Sequence, residues 1–178
     1  MSATTYPLPR NAVTGRNAIN AILWGGLIAG ALDATDGVVV YGFQGLNPIQ
    51  VLQYIASGVL GPSSFRGGLA TAGLGTLLHF LIAFVAAAVY VLVSRLIPAL
   101  NARPRLFGPL FGVAVFFFMN YGVLPLSAVA SAPFSLGMFL NGVIGHAVFV
   151  GLPIALFARR VGSKSVSDQV SRRSTMAV

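Results

Sequence analysis

An uncharged stretch of 28 residues separates Arg66 from Arg95 near the middle of the chain. The apolar segment 68–97, built as an α-helix at about 1.5 Å per residue, is longer than the hydrocarbon core of a bilayer, roughly 30 Å. It contains one ionisable side chain, His79. This stretch predicts a membrane-spanning helix, and the rest of the chain can be placed relative to it.

The composition agrees with a membrane protein and not with a soluble one. Hydrophobic residues make up 56% of the 178 residues and charged residues 8%, whereas about a quarter of the residues of a soluble domain are charged. So few charges cannot cover the surface of a soluble fold. The absence of cysteine excludes disulfides, thiol redox chemistry and thiolate metal sites.

Four apolar segments predict an all-α fold, a bundle of four transmembrane helices over residues 19–158. The predicted spans are about 19–43, 68–97, 106–124 and 136–158. Residues 1–18 and 159–178 are expected to be polar, basic tails.

A short amphipathic helix is predicted at about 48–60, after the first span. Asn47 and Pro48 suit its N-cap and first turn. One stripe is apolar and the opposite face more polar, which predicts a helix lying in the interface or covering the bundle on its outer side. The apolar stripe is Ile49, Leu52, Ile55, Ala56 and Val59; the other face is Gln50, Gln53, Tyr54 and Ser57.

The positive charges predict the orientation of the chain. If four helices cross the membrane, ten of the eleven Lys and Arg residues lie on one side, which the positive-inside rule makes cytoplasmic. Both termini are then cytoplasmic, and the net charge of +8 is a topology signal with no nucleic-acid partner implied. The ten are Arg10, Arg16, Arg95, Arg103, Arg105, Arg159, Arg160, Lys164, Arg172 and Arg173.

A cleaved signal peptide is an alternative for the first span. Arg10 and Arg16 precede an apolar run and a small-residue segment, 29–31. The apolar pattern resumes at 38–41, which favours a retained helix, and cleavage would leave the other three spans oriented as before.

Six polar side chains fall at similar depth when residues are counted from the cytoplasmic arginines. At about 1.5 Å per residue they lie within roughly 10 Å of depth, and we call them the polar layer. The polar layer consists of Asp33, Asp36, His79, Asn120, Asn141 and His146.

Three interpretations of the polar layer stay open. The polar groups can be structural, hydrogen bonding the helices together. They can form a proton or cation site, with Asp33, Asp36, His79 and His146 relaying protons or binding a divalent metal. Alternatively, His79 and His146 can hold a haem between parallel helices.

Six glycines are predicted to pack helices closely. Small residues four apart let two backbones approach each other in a membrane. The six are Gly26, Gly30, Gly108, Gly112, Gly137 and Gly145. Each half of the chain also pairs a glycine-rich helix with a returning helix that carries one histidine, as two parallel repeats would.

Enzyme motifs are missing from the sequence, which has no HExxH, nucleophile elbow or phosphate-binding glycine motif and no glutamate. We therefore predict no catalytic activity. The expected function is a transporter-like or channel-like protein that handles protons or a small cation at the polar layer. The alternative is an accessory or scaffold subunit whose glycine faces and outer helix bind the same chain or other membrane subunits.

Three segments resemble a family of small bacterial inner-membrane proteins of unknown function: 52–58 (LQYIASG), 79–83 (HFLIA) and 119–127, with its Met-Asn and Val-Leu-Pro-Leu-Ser. The order of glycine pair, histidine helix, second glycine pair and Pro-Leu break is also distantly similar to YagU-type membrane proteins. The resemblance implies four spans in a bacterial inner membrane and no particular activity.

Overall fold

The computed structural model describes residues 10–130 and 133–160, with side chains from Asn17 onward. Within these ranges the chain is helical and has no strand. The predicted tails lie outside the described residues except for 10–18 and 159–160, and α1 begins at Arg10, inside the segment expected to be a tail.

Four helices are long and apolar enough to cross a membrane, which confirms the predicted fold class. Their bounds differ from the predicted ones by two residues at most. The spans are Asn17–Gly42, Gly68–Leu96, Pro104–Leu126 and Leu136–Arg160, here spans 1 to 4.

Span 1 lies within α1 (Arg10–Gly42), and α3 (Gly68–Leu96) is span 2. The short helix α2 (Pro48–Leu60) lies between them, and α4 (Ala99–Ala102) follows α3. Span 3 consists of α5 (Pro104–Phe118), a π-helical turn, Met119–Val123, and a 3₁₀ turn, Leu124–Leu126. Span 4 begins with α6 (Leu136–Gly145) and passes through a second π-helical turn, His146–Gly151, before continuing to Arg160.

The buried core lies in the half of the bundle nearest the arginine-rich ends of the spans. Small side chains dominate this core, so the helices approach closely. Its largest side chain, Tyr90, donates a hydrogen bond of 3.1 Å from its hydroxyl to the Leu100 carbonyl oxygen. The core residues come from spans 1, 2 and 4: Ala18, Ala21, Ala29, Ala86, Ala87, Tyr90, Val91, Val150, Ile154, Ala155 and Ala158.

Large apolar side chains cover the outside of the bundle. Trp24 is 56% exposed, Leu77 67% and Phe118 68%. Exposed apolar surface on this scale marks a membrane-facing protein. Lipid is the natural neighbour of these side chains, because apolar surface costs nothing against acyl chains.

The helix α2 has the predicted bounds, and residues of both its faces are buried. Ala56 of the apolar stripe is 0% exposed and Gln53 and Ser57 of the opposite face are each 3% exposed, whereas Ile49 is 42% and Val59 65% exposed. The Gln53 amide donates to the Gly68 carbonyl oxygen at 2.9 Å and to Thr71 Oγ1 at 3.3 Å. Because those bonds satisfy the amide, Gln53 can be buried against the start of α3.

Candidate functional site

A cavity of about 270 Å³ lies between α2 and the four spans. Its walls are mainly apolar, and only a few polar side chains reach it. Those polar side chains are Asp33, Tyr54, His79, Ser127 and His146. Three of them belong to the polar layer, and we call Asp33, His79 and His146 the ionisable trio.

The ionisable trio brings together three helices that are far apart in sequence. Asp33 comes from α1, His79 from α3 and His146 from the first residue of the π-helical turn in span 4. Asp33 Oδ1 lies 3.8 Å from His146 Nδ1, and each of these side chains is 23% exposed. The pair is an ion pair when the imidazole is protonated.

A backbone carbonyl fixes the position of the His79 ring. His79 Nε2 lies 2.8 Å from the Gly30 carbonyl oxygen. A carbonyl only accepts hydrogen bonds, so Nε2 carries the proton and Nδ1 of the neutral ring keeps a lone pair. Gly30 permits this contact because a Cβ there would lie 2.9 Å from the Phe80 ring of α3.

His146 is held in the same manner but through its other nitrogen. His146 Nδ1 lies 2.9 Å from the Gly142 carbonyl oxygen, one turn earlier in its own helix. The proton therefore sits on Nδ1, and Nε2 is left as an acceptor in the neutral ring. His146 also begins a π-helical turn, a feature that is frequent at functional sites.

The remaining members of the polar layer form hydrogen bonds within or between helices. Asn141 Nδ2 donates to Asp36 Oδ2 at 2.9 Å and joins span 4 to α1. Asn120 Nδ2 donates to the Phe116 carbonyl oxygen of its own span, also at 2.9 Å. The polar layer is thus divided into the ionisable trio, one helix-joining pair and one asparagine bonded within its helix.

The metal hypothesis finds no matching geometry in the described part of the chain. There, His, Asp and Glu side chains form no group of three or more that could hold a metal ion. Asp33, Asp36, His79 and His146 are divided between the cavity and the Asp36–Asn141 bond. Haem between His79 and His146 stays a prediction, which an absorption spectrum of the purified protein tests.

Most of the predicted packing glycines contact a neighbouring helix. A Cβ on Gly26 would lie 2.5 Å from the Phe84 ring, one on Gly108 would lie 2.9 Å from the Gly151 carbonyl oxygen, and one on Gly112 would overlap the His146 carbonyl oxygen. A Cβ on Gly145 would lie 3.0 Å from Asp36 Oδ2. These glycines therefore pack against neighbouring helices of the same chain.

Gly137 is the exception, because it contacts no neighbouring helix of the chain, and the packing role expected of it stays a prediction. A Cβ there would meet only the Ser135 hydroxyl oxygen, 4.0 Å away. The reason is that α1 packs on span 4 mainly from His146 onward, two turns further along. Three other glycines approach a neighbouring helix closely but were not predicted, because the prediction relied on glycines spaced four residues apart. They are Gly75 against Leu52, Gly142 against Phe116 and Gly151 against Gly112.

Two cavity residues were also missed as site residues. Tyr54 was assigned to the polar face of an outer helix and Ser127 to a loop. The Ser127 hydroxyl donates to the Leu124 carbonyl oxygen at 2.7 Å, and the Ala128 amide donates to the Gly58 carbonyl oxygen at 2.9 Å. That second bond ties the segment after span 3 to α2, and both segments line the cavity.

Comparison of the chain with protein-family models, with curated proteins and with solved structures finds no match.

Proposed function

We propose that this chain is a transporter-like membrane protein that handles protons or a small cation at the ionisable trio. The observation that carries the proposal is the convergence of Asp33, His79 and His146, from three helices, on one cavity. Ionisable side chains inside a membrane are costly unless they face such a cavity, and there they mark ion and proton pathways.

The placement of the cavity favours a transporter over an open channel. The buried core lies between the ionisable trio and the arginine-rich end of the bundle, where Tyr90 and Ile154 are 1% exposed. At the opposite end the cavity is bordered by α2 and by Ser127 and Val129, which follow span 3. Such a site exchanges its ligand by a change of conformation, with access alternating between the two ends.

The positive-inside rule places the arginine-rich end in the cytoplasm. We accordingly propose a bacterial inner membrane, with both termini cytoplasmic and the cavity nearer the outer face.

A proton-flux assay tests the proposal with a matched pair of variants. Purified protein is reconstituted into vesicles containing a pH-sensitive dye, and a pH gradient is imposed across the membrane. We expect flux from the unmodified protein, loss of most of that flux in Asp33→Asn, and retention of flux in Asp36→Asn. Both variants remove one carboxylate from the polar layer, but Asp36 is bonded to Asn141.

Equal flux in the unmodified protein and Asp33→Asn contradicts the assignment of this residue. A lack of flux in the unmodified protein, with protons and with Na⁺ or K⁺ tested in turn, contradicts the transport proposal.

A further inference from the structure

We infer that the cavity takes an organic ammonium ion with an apolar body, an inference that rests on the proposed function of the ionisable trio as the site. Its size is the first argument. A water molecule occupies about 30 Å³ of the liquid, whereas the cavity measures about 270 Å³. This is far more room than a proton or a bare monovalent cation needs, and it suits a small organic molecule.

The walls give the second argument. Most of the cavity is lined by aliphatic and thioether side chains, among them Ile55, Leu78, Ile82, Val115, Met119 and Val150. These groups cannot replace the hydration shell of an inorganic ion, whose transfer from water is costly without polar partners. They can contact a hydrocarbon body, as most small-molecule pockets do.

The polar atoms give the third argument, because they are mainly acceptors. The Gly30 and Gly142 carbonyl oxygens fix the tautomers of the two neutral imidazoles, leaving lone pairs on His79 Nδ1 and His146 Nε2. A carboxylate only accepts, which applies to Asp33, and Ser127 already donates to Leu124. The Tyr54 hydroxyl is hydrogen-bonded to that of Tyr41. A cavity whose polar side chains are mainly acceptors selects a cation that carries N–H donors and disfavours an anion.

The charge balance of Asp33 supports a cationic ligand. Among the described residues its one ion-pair partner is His146, at 3.8 Å, and only when that ring is protonated. A bound ammonium supplies the same positive charge. It can therefore pair with Asp33 while His146 stays neutral.

Titratable groups border the cavity from every element except span 3. They are Asp33 from α1, Tyr54 from α2, His79 from α3 and His146 from span 4, whereas span 3 contributes residues such as Met119. Tyr41 of α1 hydrogen-bonds Tyr54 and lies near Asp33. Asp36 lies on α1 next to the site but is bonded to Asn141.

Calorimetry on the full chain in lipid nanodiscs tests the inference with three probes: hexylammonium, hexanol and methylammonium. We expect hexylammonium to bind more tightly than hexanol, which lacks the charge, and than methylammonium, which lacks the apolar body. In Asp33→Asn, hexylammonium should bind about tenfold to a hundredfold more weakly, as loss of a charged hydrogen-bond partner implies. Asp36→Asn serves as the control and should bind like the unmodified protein.

Three comparisons decide the outcome. Unchanged hexanol binding in Asp33→Asn shows that the cavity has survived the substitution, so a selective loss of hexylammonium supports the inference. Equal binding of hexanol and hexylammonium in the unmodified protein overturns it, as does a tightly retained lipid acyl chain that excludes both. Equal binding of hexylammonium by Asp33→Asn and by the unmodified protein overturns it as well.

This experiment separates the inference from the transport proposal. Proton or inorganic cation flux without ammonium binding leaves transport standing and overturns the ligand class. Charge-selective ammonium binding without flux of protons, Na⁺ or K⁺ supports the ligand class and contradicts the proposal that the protein transports those ions.

Discussion

Single glycines decide where the helices of this protein touch. Gly112 is buried, and a Cβ on it would overlap the His146 carbonyl oxygen and lie 2.9 Å from the Ala147 Cα atom. Both neighbours are backbone, which cannot move aside as a flexible side chain can. The contact therefore couples α5 to the turn that carries one member of the ionisable trio.

Gly112→Ala should lower the free energy of unfolding by about 1–3 kcal/mol, the usual cost of overpacking a tight contact. Gly73→Ala is the matched control, because a Cβ at Gly73 meets nothing within 4 Å. It should leave the stability equal or raise it by about 0.5–1 kcal/mol, since alanine favours the helix over glycine. Thermal unfolding of both variants in one detergent measures the difference, and equal stabilities would refute the packing argument.

At the residue scale, the sequence predicts depth and fails to predict pairing. Counting from the arginines placed Asp33, His79 and His146 at one level, and all three line one cavity. The counting does not determine how each helix is rotated about its axis, so it missed that His79 bonds a backbone carbonyl and that Asn120 bonds its own helix. Rotation is set by contacts such as Gly30 against Phe80, which need the three-dimensional packing.

At the scale of elements, the bounds of the spans follow from apolar length and the turn residues between them. The orientation of α2 does not follow, because the rule that polar faces meet water holds for helices in solution. Here the start of α3 supplies partners for Gln53, and the backbone of α2 packs on Gly75. In each half a glycine lies against the histidine of the returning helix: the Gly30 carbonyl oxygen bonds the His79 ring, and Gly112 lies against the His146 backbone. The internal repeat stays a prediction.

Gln53→Leu should destabilise the contact between α2 and α3. The change removes the amide that bonds Gly68 and Thr71, at a cost of about 0.5–1.5 kcal/mol, the net contribution of a typical hydrogen bond. Gln44→Leu, at an exposed position before α2, should leave the stability within about 0.5 kcal/mol of the unmodified protein. Unfolding in detergent, followed by circular dichroism, compares the two, and an equal effect of both changes would show that α2 is not anchored through Gln53.

At the scale of the whole molecule, packing and open space are segregated. Tightly packed alanines occupy the arginine-rich half, and the cavity occupies the other, with the ionisable trio at their boundary. The core thus separates the ionisable trio from the arginine-rich end of the bundle. The membrane face nearest the cavity depends on the orientation of the protein. The functional proposal therefore depends on the topology.

Cysteine labelling determines that orientation, because the chain has no native cysteine to give a background. Gln44 and Ala99 are both exposed and lie at opposite ends of the bundle, before α2 and in α4 respectively. In intact bacterial cells stripped of any outer barrier, we expect a membrane-impermeant thiol reagent to label Gln44→Cys and to reach Ala99→Cys only after permeabilisation. Arginines at the Ala99 end favour its retention in the cytoplasm. The reverse pattern would invert the protein and turn the cavity toward the cytoplasm, whereas labelling of both positions in intact cells would mean that the four helices do not all cross the membrane.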